Sequence, residues 1–365
     1  MRPALAAGAA EVAVKLGALR QFLAAHGGGA LRLRGSDWFA WVTAGGANTV
    51  LLASDTGVAE VLVTRAEACI LTDEIEAERL KAEQVPPGFT FHVAPWTDTD
   101  LHDAFVLGEA GGAPVLSDHP GPGELPLPGG ARQLRLRMSA PEQARYRALG
   151  LDAACAASEV MRKARPDWTE YALAGAGAEA LWRRGIEPAL VLAAGERRVQ
   201  QYRHPTPSDA PLGRQAMLVL CARRHGLVAN LTRFVCFCQP PLRQSEMKQV
   251  EATGLAACVP GNSLSAVYHA LVQAYHHAGQ PAAIREHHQG GVTGYRAREL
   301  VATPSTALQL ESGMAVAFNP SFQGIKIEDT FLIGEHGLEN LTCDPDWPAL
   351  AVQGRMRPLW LEVTW

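Results

Sequence analysis

Apolar residues along the first ~130 positions of this 365-residue chain alternate between helical spacing and strand-like alternation. An amphipathic helix opens the chain, reaches about Ala25, and ends at Gly27-Gly28-Gly29. Strands are predicted at Ala30–Leu33, Trp38–Val42, Thr49–Ala53, Ala59–Val63 and Ala68–Leu71. A helix is predicted at Glu74–Glu83 and a further strand at Thr90–Val93, which together make a small α/β unit. The segment DHPGPGELPLPGGARQ (Asp118–Gln133) is dense in Pro and Gly and reads as a boundary. Two domains are therefore expected, 1–132 and 133–365.

After the boundary, Ser139 and Glu142 have the spacing of a capping box and open a long helix to about Ala164. A second helix runs from near Asp167 to Arg184, with strands at Ala189–Ala193, Met217–Ala222 and Val228–Phe237. Helices follow at Leu242–Cys258 and Leu264–Ala278, then strands that include Met314–Asn319 and Ile325–Ile333. Helices packed on a mostly antiparallel sheet make the second half an α+β arrangement.

Composition narrows the function classes. The 33 basic and 37 acidic residues carry a net charge of −4 and form no basic stripe, so no nucleic-acid partner is expected. No stretch of 18 apolar residues exists, and Glu11 and Lys15 interrupt the opening helix, so neither a membrane span nor a signal peptide is expected. A cytoplasmic location follows by default. The seven cysteines form no CxxC pair, which argues against a disulfide framework or zinc knuckle. Cys236 and Cys238 flank Phe237 in a strand-like run and are expected on one side of a sheet.

Five stretches of the second half carry the chemistry: YRHPTPSD (Tyr202–Asp209), HGLVANLTRFV (His225–Val235), HHQGGVTGYRARE (His287–Glu299), ESGMAVAFNP (Glu311–Pro320) and GIKIEDTFLI (Gly324–Ile333). In this order they resemble the creatinase/aminopeptidase P superfamily. The resemblance covers nearly the whole chain and implies a creatinase-type N-terminal α/β domain followed by a pita-bread domain. Peptidases of that superfamily hold two metal ions with Asp, Asp, His, Glu and Glu. Carried over residue by residue, those positions hold Val219, Asn230, Gly291, Asn319 and Glu328, so only Glu328 is retained. Four carboxylates that would balance two dications become one, and Val219 and Gly291 offer no donor. The expectation is a metal-free member that lacks most of the metal ligands and has no cofactor.

Creatinase, which the chain also resembles, hydrolyses a C–N bond without metal. The resemblance implies His204 as proton shuttle with Glu328 as its carboxylate and His287 as a third catalytic group. Such acid–base pairs contribute about 10²–10⁴-fold to a rate. Asn230 and Asn319 are expected to orient an amide. Arg298, Arg233 and Tyr295, with Arg296 and Arg203 close in sequence, are expected to help capture a small anionic substrate.

Plainer readings stand beside these. His204 also reads as a surface-loop histidine, His287 as a brace of its loop, and His288 as a solvated neighbour. Glu328 also reads as a structural partner of Arg298 or Lys326, and Arg233 as half of a structural ion pair. Trp38 and Trp41 read either as core residues or as part of a stretch that closes the site of a dimer mate, with Asp37 and Asn48 as its polar groups. Three functions remain: a metal-independent hydrolase or lyase of a small polar C–N compound, a non-catalytic pita-bread binding protein, and an Xaa-Pro aminopeptidase. The partners expected are a small-molecule substrate and, by resemblance, a second copy in a homodimer.

Overall fold

In the computed structural model, which describes residues 8–98, 100–240 and 243–363, the chain divides into two units between Arg135 and Leu136. Residues 1–7 of the predicted opening helix, and Leu242 at the start of another, lie outside the described residues.

The first unit is built on one mixed sheet. Its elements are α1 (Ala9–Ala25), β1 (Ala30–Gly35), α2 (Ser36–Val42), β2 (Thr56–Thr64), β3 (Ala68–Asp73), α3 (Ala77–Glu83), β4 (Thr90–Ala94), α4 (Asp100–Ala110), β5 (Val115–Ser117) and β6 (Leu125–Pro126). The strand order is β4-β3-β2-β1-β5-β6, antiparallel across β1-β2-β3 and parallel at the β4, β5 and β6 pairings.

Two strand expectations fail here. Trp38–Val42 lies in a helix, and every residue from Asp37 to Val42 is buried, so no polar position reveals the period. Trp38 and Trp41 meet edge to face in its core, 5.5 Å between centroids. Thr49–Ala53 is not a strand: Ser54 N–H returns to the Leu51 carbonyl in a turn, and Val50 and Leu51 are exposed. The polar groups proposed to reach a dimer mate also turn inward. Asp37 pairs with Arg135 at 2.8 Å, and Asn48 Nδ2 donates to the Ala59 carbonyl.

The second unit opens with α5 (Ala140–Lys163), capped as its sequence requires, with Ser139 N–H donating to Glu142 Oε2. Tyr146, Leu149, Ala153, Ala157 and Val160 form its buried stripe at helical spacing. Next come α6 (Glu170–Trp182), β7 (Glu187–Gly195), β8 (Gln215–Arg224), β9 (Leu227–Cys236), α7 (Gln244–Ala256) and α8 (Leu264–His277). The remaining strands are β10 (Gly290–Thr293), β11 (Leu300–Val301), β12 (Ala315–Phe318), β13 (Ser321–Phe322), β14 (Ile325–Lys326), β15 (Asp329–Gly334), β16 (Gly337–Asn340), β17 (Ala349–Val352), β18 (Arg355–Pro358) and β19 (Leu361–Glu362). They form an antiparallel sheet β11-β10-β12-β15-β16, a sheet β19-β9-β8-β7 and two small hairpins, so the α+β expectation holds. Because β9 ends at Cys236, that thiol is buried while Cys238 is exposed, and the two do not share a face.

The two larger sheets meet at a seam. Thr232 N–H donates to the Glu328 carbonyl, and Thr330 Oγ1 bridges the Asn230 backbone at 2.8 and 3.0 Å. Behind the seam lies a buried chain of charges. Arg357 holds Glu251 with two hydrogen bonds and lies 2.8 Å from Asp329, which also accepts from Arg233 and Thr342. No helix among the described residues is long and apolar enough to cross a membrane.

Candidate active site

Glu328 stands on the seam with its side chain 3% exposed. Arg298 Nη2 donates to one oxygen at 2.7 Å; Thr232 Oγ1 donates to the other at 3.0 Å, with Lys326 Nζ 3.3 Å from that same oxygen. Burial alone would raise this carboxyl. The charges of Lys326 and Arg298, with hydrogen bonds from Arg298 and Thr232, outweigh it and hold the group at about 2. Glu328 is therefore an ionised acceptor near neutrality, and the two cations around it leave one net positive charge.

The histidine loop is positioned from α8. Tyr275 OH donates to Gln289 Oε1 at 2.8 Å, and Gln289 Nε2 donates to the His287 carbonyl at 2.6 Å. This brings His287 Nε2 to 2.7 Å from His204 Nε2. One of the two nitrogens carries the proton of that bond and the other accepts it. His288 stacks on His287, 4.5 Å between centroids. His204 and His288 are exposed, while His287 is buried with no hydrogen-bond partner at Nδ1 among the described residues.

The cations act on the rings as they act on Glu328. Burial, and then the charge of Lys326, lower His204 from its ordinary value. Burial, Lys326 and the neighbouring imidazoles push His287 down to about 2. Burial and Arg298 bring His288 to about 4. All three are neutral at pH 7.

Asn230 and Asn319 are buried, and each amide oxygen lacks a hydrogen-bond partner among the described residues. Asn230 Nδ2 donates to Thr293 Oγ1 at 3.0 Å. Each amide oxygen is a buried acceptor of a kind that costs about 1–3 kcal/mol when left unsatisfied.

The structure rearranges several expected roles. His204 is hydrogen-bonded to His287 and not to Glu328, because both Glu328 oxygens are taken by Arg298, Thr232 and Lys326. Arg233 is not a substrate group: strand alternation turns it away from the Thr232 face, and it donates to Asp329 and the Thr342 carbonyl. Tyr295 is not one either, since its buried hydroxyl donates to Glu142 Oε1 at 2.6 Å and ties the loop to α5. Arg203 pairs with Glu286. Lys326 is the site residue the sequence reading left as a structural option, and its two-residue spacing from Glu328 was the available signal. Cys221 on β8 is no thiolate nucleophile, because burial and the Glu328 charge push it up to about 12.

A pita-bread fold with a cationic, histidine-lined site defines the class. The chain belongs to metallopeptidase family M24, whose profile matches residues 145–335. Among solved structures it is similar to the prolidase from Pyrococcus horikoshii OT3, with 18% identity over 90% of this chain and 98% of that one, at a TM-score of 0.76. It is similar to dipeptidase PepE from Mycobacterium ulcerans, with 20% identity over 97% and 98% of the two chains and a TM-score of 0.75. The N-terminal domain of the FACT complex subunit SPT16 from Cicer arietinum (chickpea) shares the fold at 14% identity, covering 91% and 94%, with a TM-score of 0.67. No curated protein matches the chain.

The family's name implies metal, and the residues here do not fit a pair of divalent ions. Val219 is buried in the apolar core. Gly291 has φ 158°, and a Cβ there would stand 2.1 Å from the Leu300 carbonyl oxygen, so no side chain fits. An ion bound to Glu328 would lie roughly 4 Å from the Lys326 ammonium, a repulsion of about 8 kcal/mol at an effective dielectric near 20. The neutral oxygens of Asn230 and Asn319 do not offset that.

Proposed function

We propose that the site binds a small anion bearing an amide, amidine or guanidino group and hydrolyses a C–N bond without metal, with His204 and His287 as the proton-transferring pair. The observation that carries this reading is the 2.7 Å contact between their Nε2 atoms. With His204 Nε2 donating inward, its Nδ1 accepts a proton from water attacking the trigonal carbon, and the pair returns a proton to the departing nitrogen. Glu328 holds Arg298 and Lys326 in place and takes no proton. The residual positive charge suits a carboxylate, and the Asn230 and Asn319 oxygens suit N–H donors. The homodimer implied by resemblance and the cytoplasmic setting expected by default belong to this proposal.

The test is turnover of small amides, guanidines and cyclic amidines by protein dialysed against a chelator. Chelator-resistant turnover is expected to be lost in His204→Ala, with an acid limb whose midpoint lies below 6.5. Turnover that requires added Mn²⁺ or Zn²⁺ would overturn it in favour of an Xaa-Pro aminopeptidase. Engagement of both Glu328 oxygens by Arg298, Thr232 and Lys326 favours a second reading, a non-catalytic binding protein. In that case ligands raise the melting temperature and none is consumed.

A further inference from the structure

We propose that His204, His287 and His288 form a mononuclear site for a borderline transition-metal dication such as Zn²⁺, Ni²⁺ or Cu²⁺. One ligand nitrogen from each ring lies within 4.8 Å of the others. In a tetrahedral site with Zn–N near 2.0–2.1 Å, ligand nitrogens stand about 3.3 Å apart. The His204–His287 pair would open by roughly 0.6 Å and the widest pair close by roughly 1.5 Å, both within reach of ring rotation. His204 and His288 are exposed, so an ion has access from solvent, and the fourth position stays open. All three donors are neutral imidazoles with no carboxylate among them, which selects for ions of high imidazole affinity and against Mg²⁺ or Mn²⁺.

Lys326 and Arg298 bear on the choice of ion. Their charges, only partly offset by Glu328, weaken a bare dication and favour one that carries an anion, such as hydroxide or a carboxylate, in the open position. The site therefore differs from the oxygen-rich pair implied by the family name in donors, number of ions and metal preference. Because an ion here takes the nitrogen lone pairs that proton transfer uses, it would act as an inhibitor of that chemistry. Binding itself is independent of whether the protein turns over a substrate.

The experiment is calorimetric titration of the chelator-treated full chain with Zn²⁺, Ni²⁺ and Mn²⁺ in a non-coordinating buffer. One equivalent of Zn²⁺ and of Ni²⁺ is expected, with Mn²⁺ bound at least ~10-fold more weakly. His288→Ala and His204→Ala, both at exposed positions, are each expected to weaken Zn²⁺ by at least ~10-fold. The double variant His276→Ala/His277→Ala, which removes the exposed pair ending α8, is expected to change nothing. Circular dichroism of each variant checks the fold. Zn²⁺ binding that survives both single variants, or is lost in the α8 variant, would overturn the site. Two equivalents of Mn²⁺ bound as tightly as Zn²⁺ would overturn it as well.

Discussion

Replacing Glu328 with glutamine keeps the shape of the side chain and removes its charge, leaving Arg298 and Lys326 to face a neutral amide. The side chains concerned are 3%, 13% and 5% exposed, so water cannot take over the lost role. At an effective dielectric near 20, a pair 2.7 Å apart attracts by about 6 kcal/mol and one 3.3 Å apart by about 5 kcal/mol. Most of this is offset by the desolvation of three charged groups. What remains is the penalty of an uncompensated buried charge, about 3–5 kcal/mol. Glu328→Gln should lower stability by that amount in urea titrations followed by near-ultraviolet circular dichroism. Adding Lys326→Met should recover part of the loss, because it removes one of the two cations left facing the amide and returns the net charge to that of the parent. A Glu328→Gln protein within about 1 kcal/mol of the parent, or a double variant less stable than the single one, would refute the ion-pair account.

Acid should destabilise the protein through His287. Its folded value lies far below the ordinary 6.5, so the unfolded chain binds the extra proton and stability is lost as pH falls below 6.5. At pH 4.5 this amounts to about 2.7 kcal/mol. His287→Gln should reduce the dependence between pH 7 and 4.5, with the lowered His288 and His204 carrying the rest, and an unchanged slope in urea midpoints would sink the assignment. Arg357→Ala should cost about 3–5 kcal/mol by leaving Glu251 without a cation in the core, while Asp329 keeps Arg233 and Thr342. Arg357→Lys should restore little, since an ammonium cannot make the two-pronged contact with Glu251.

The architecture was legible because the motif stretches are long and keep their order, and because the capping box and the Gly-rich loop mark turns with local chemistry. The α2 helix was not, since a short element buried all round shows no period. Within the site, sequence spacing indicated which carboxylate survives but not what surrounds it. Whether Glu328 pairs with Arg298 or Lys326 depends on contacts across 30 residues and two residues respectively, and the structure makes both. Likewise His204 and His287, 83 residues apart, find each other only because Tyr275 and Gln289 set the height of the loop. Arg233 shows the reverse case: of its two readings the structure holds the ion pair, with Asp329, on the strand face opposite Thr232.

At Gly291 the departure from the peptidase pattern is written into the main chain. At the φ of 158° that Gly291 adopts, a side chain would point into the paired strand β11, where the Leu300 carbonyl already stands. A single codon change to histidine would meet backbone, and the two strands would have to part before an imidazole could be seated. A donor side chain at this one position would therefore cost stability before any ion could be held by it, and the main chain itself, more than the choice of side chains, keeps this corner of the site closed to a fifth ligand.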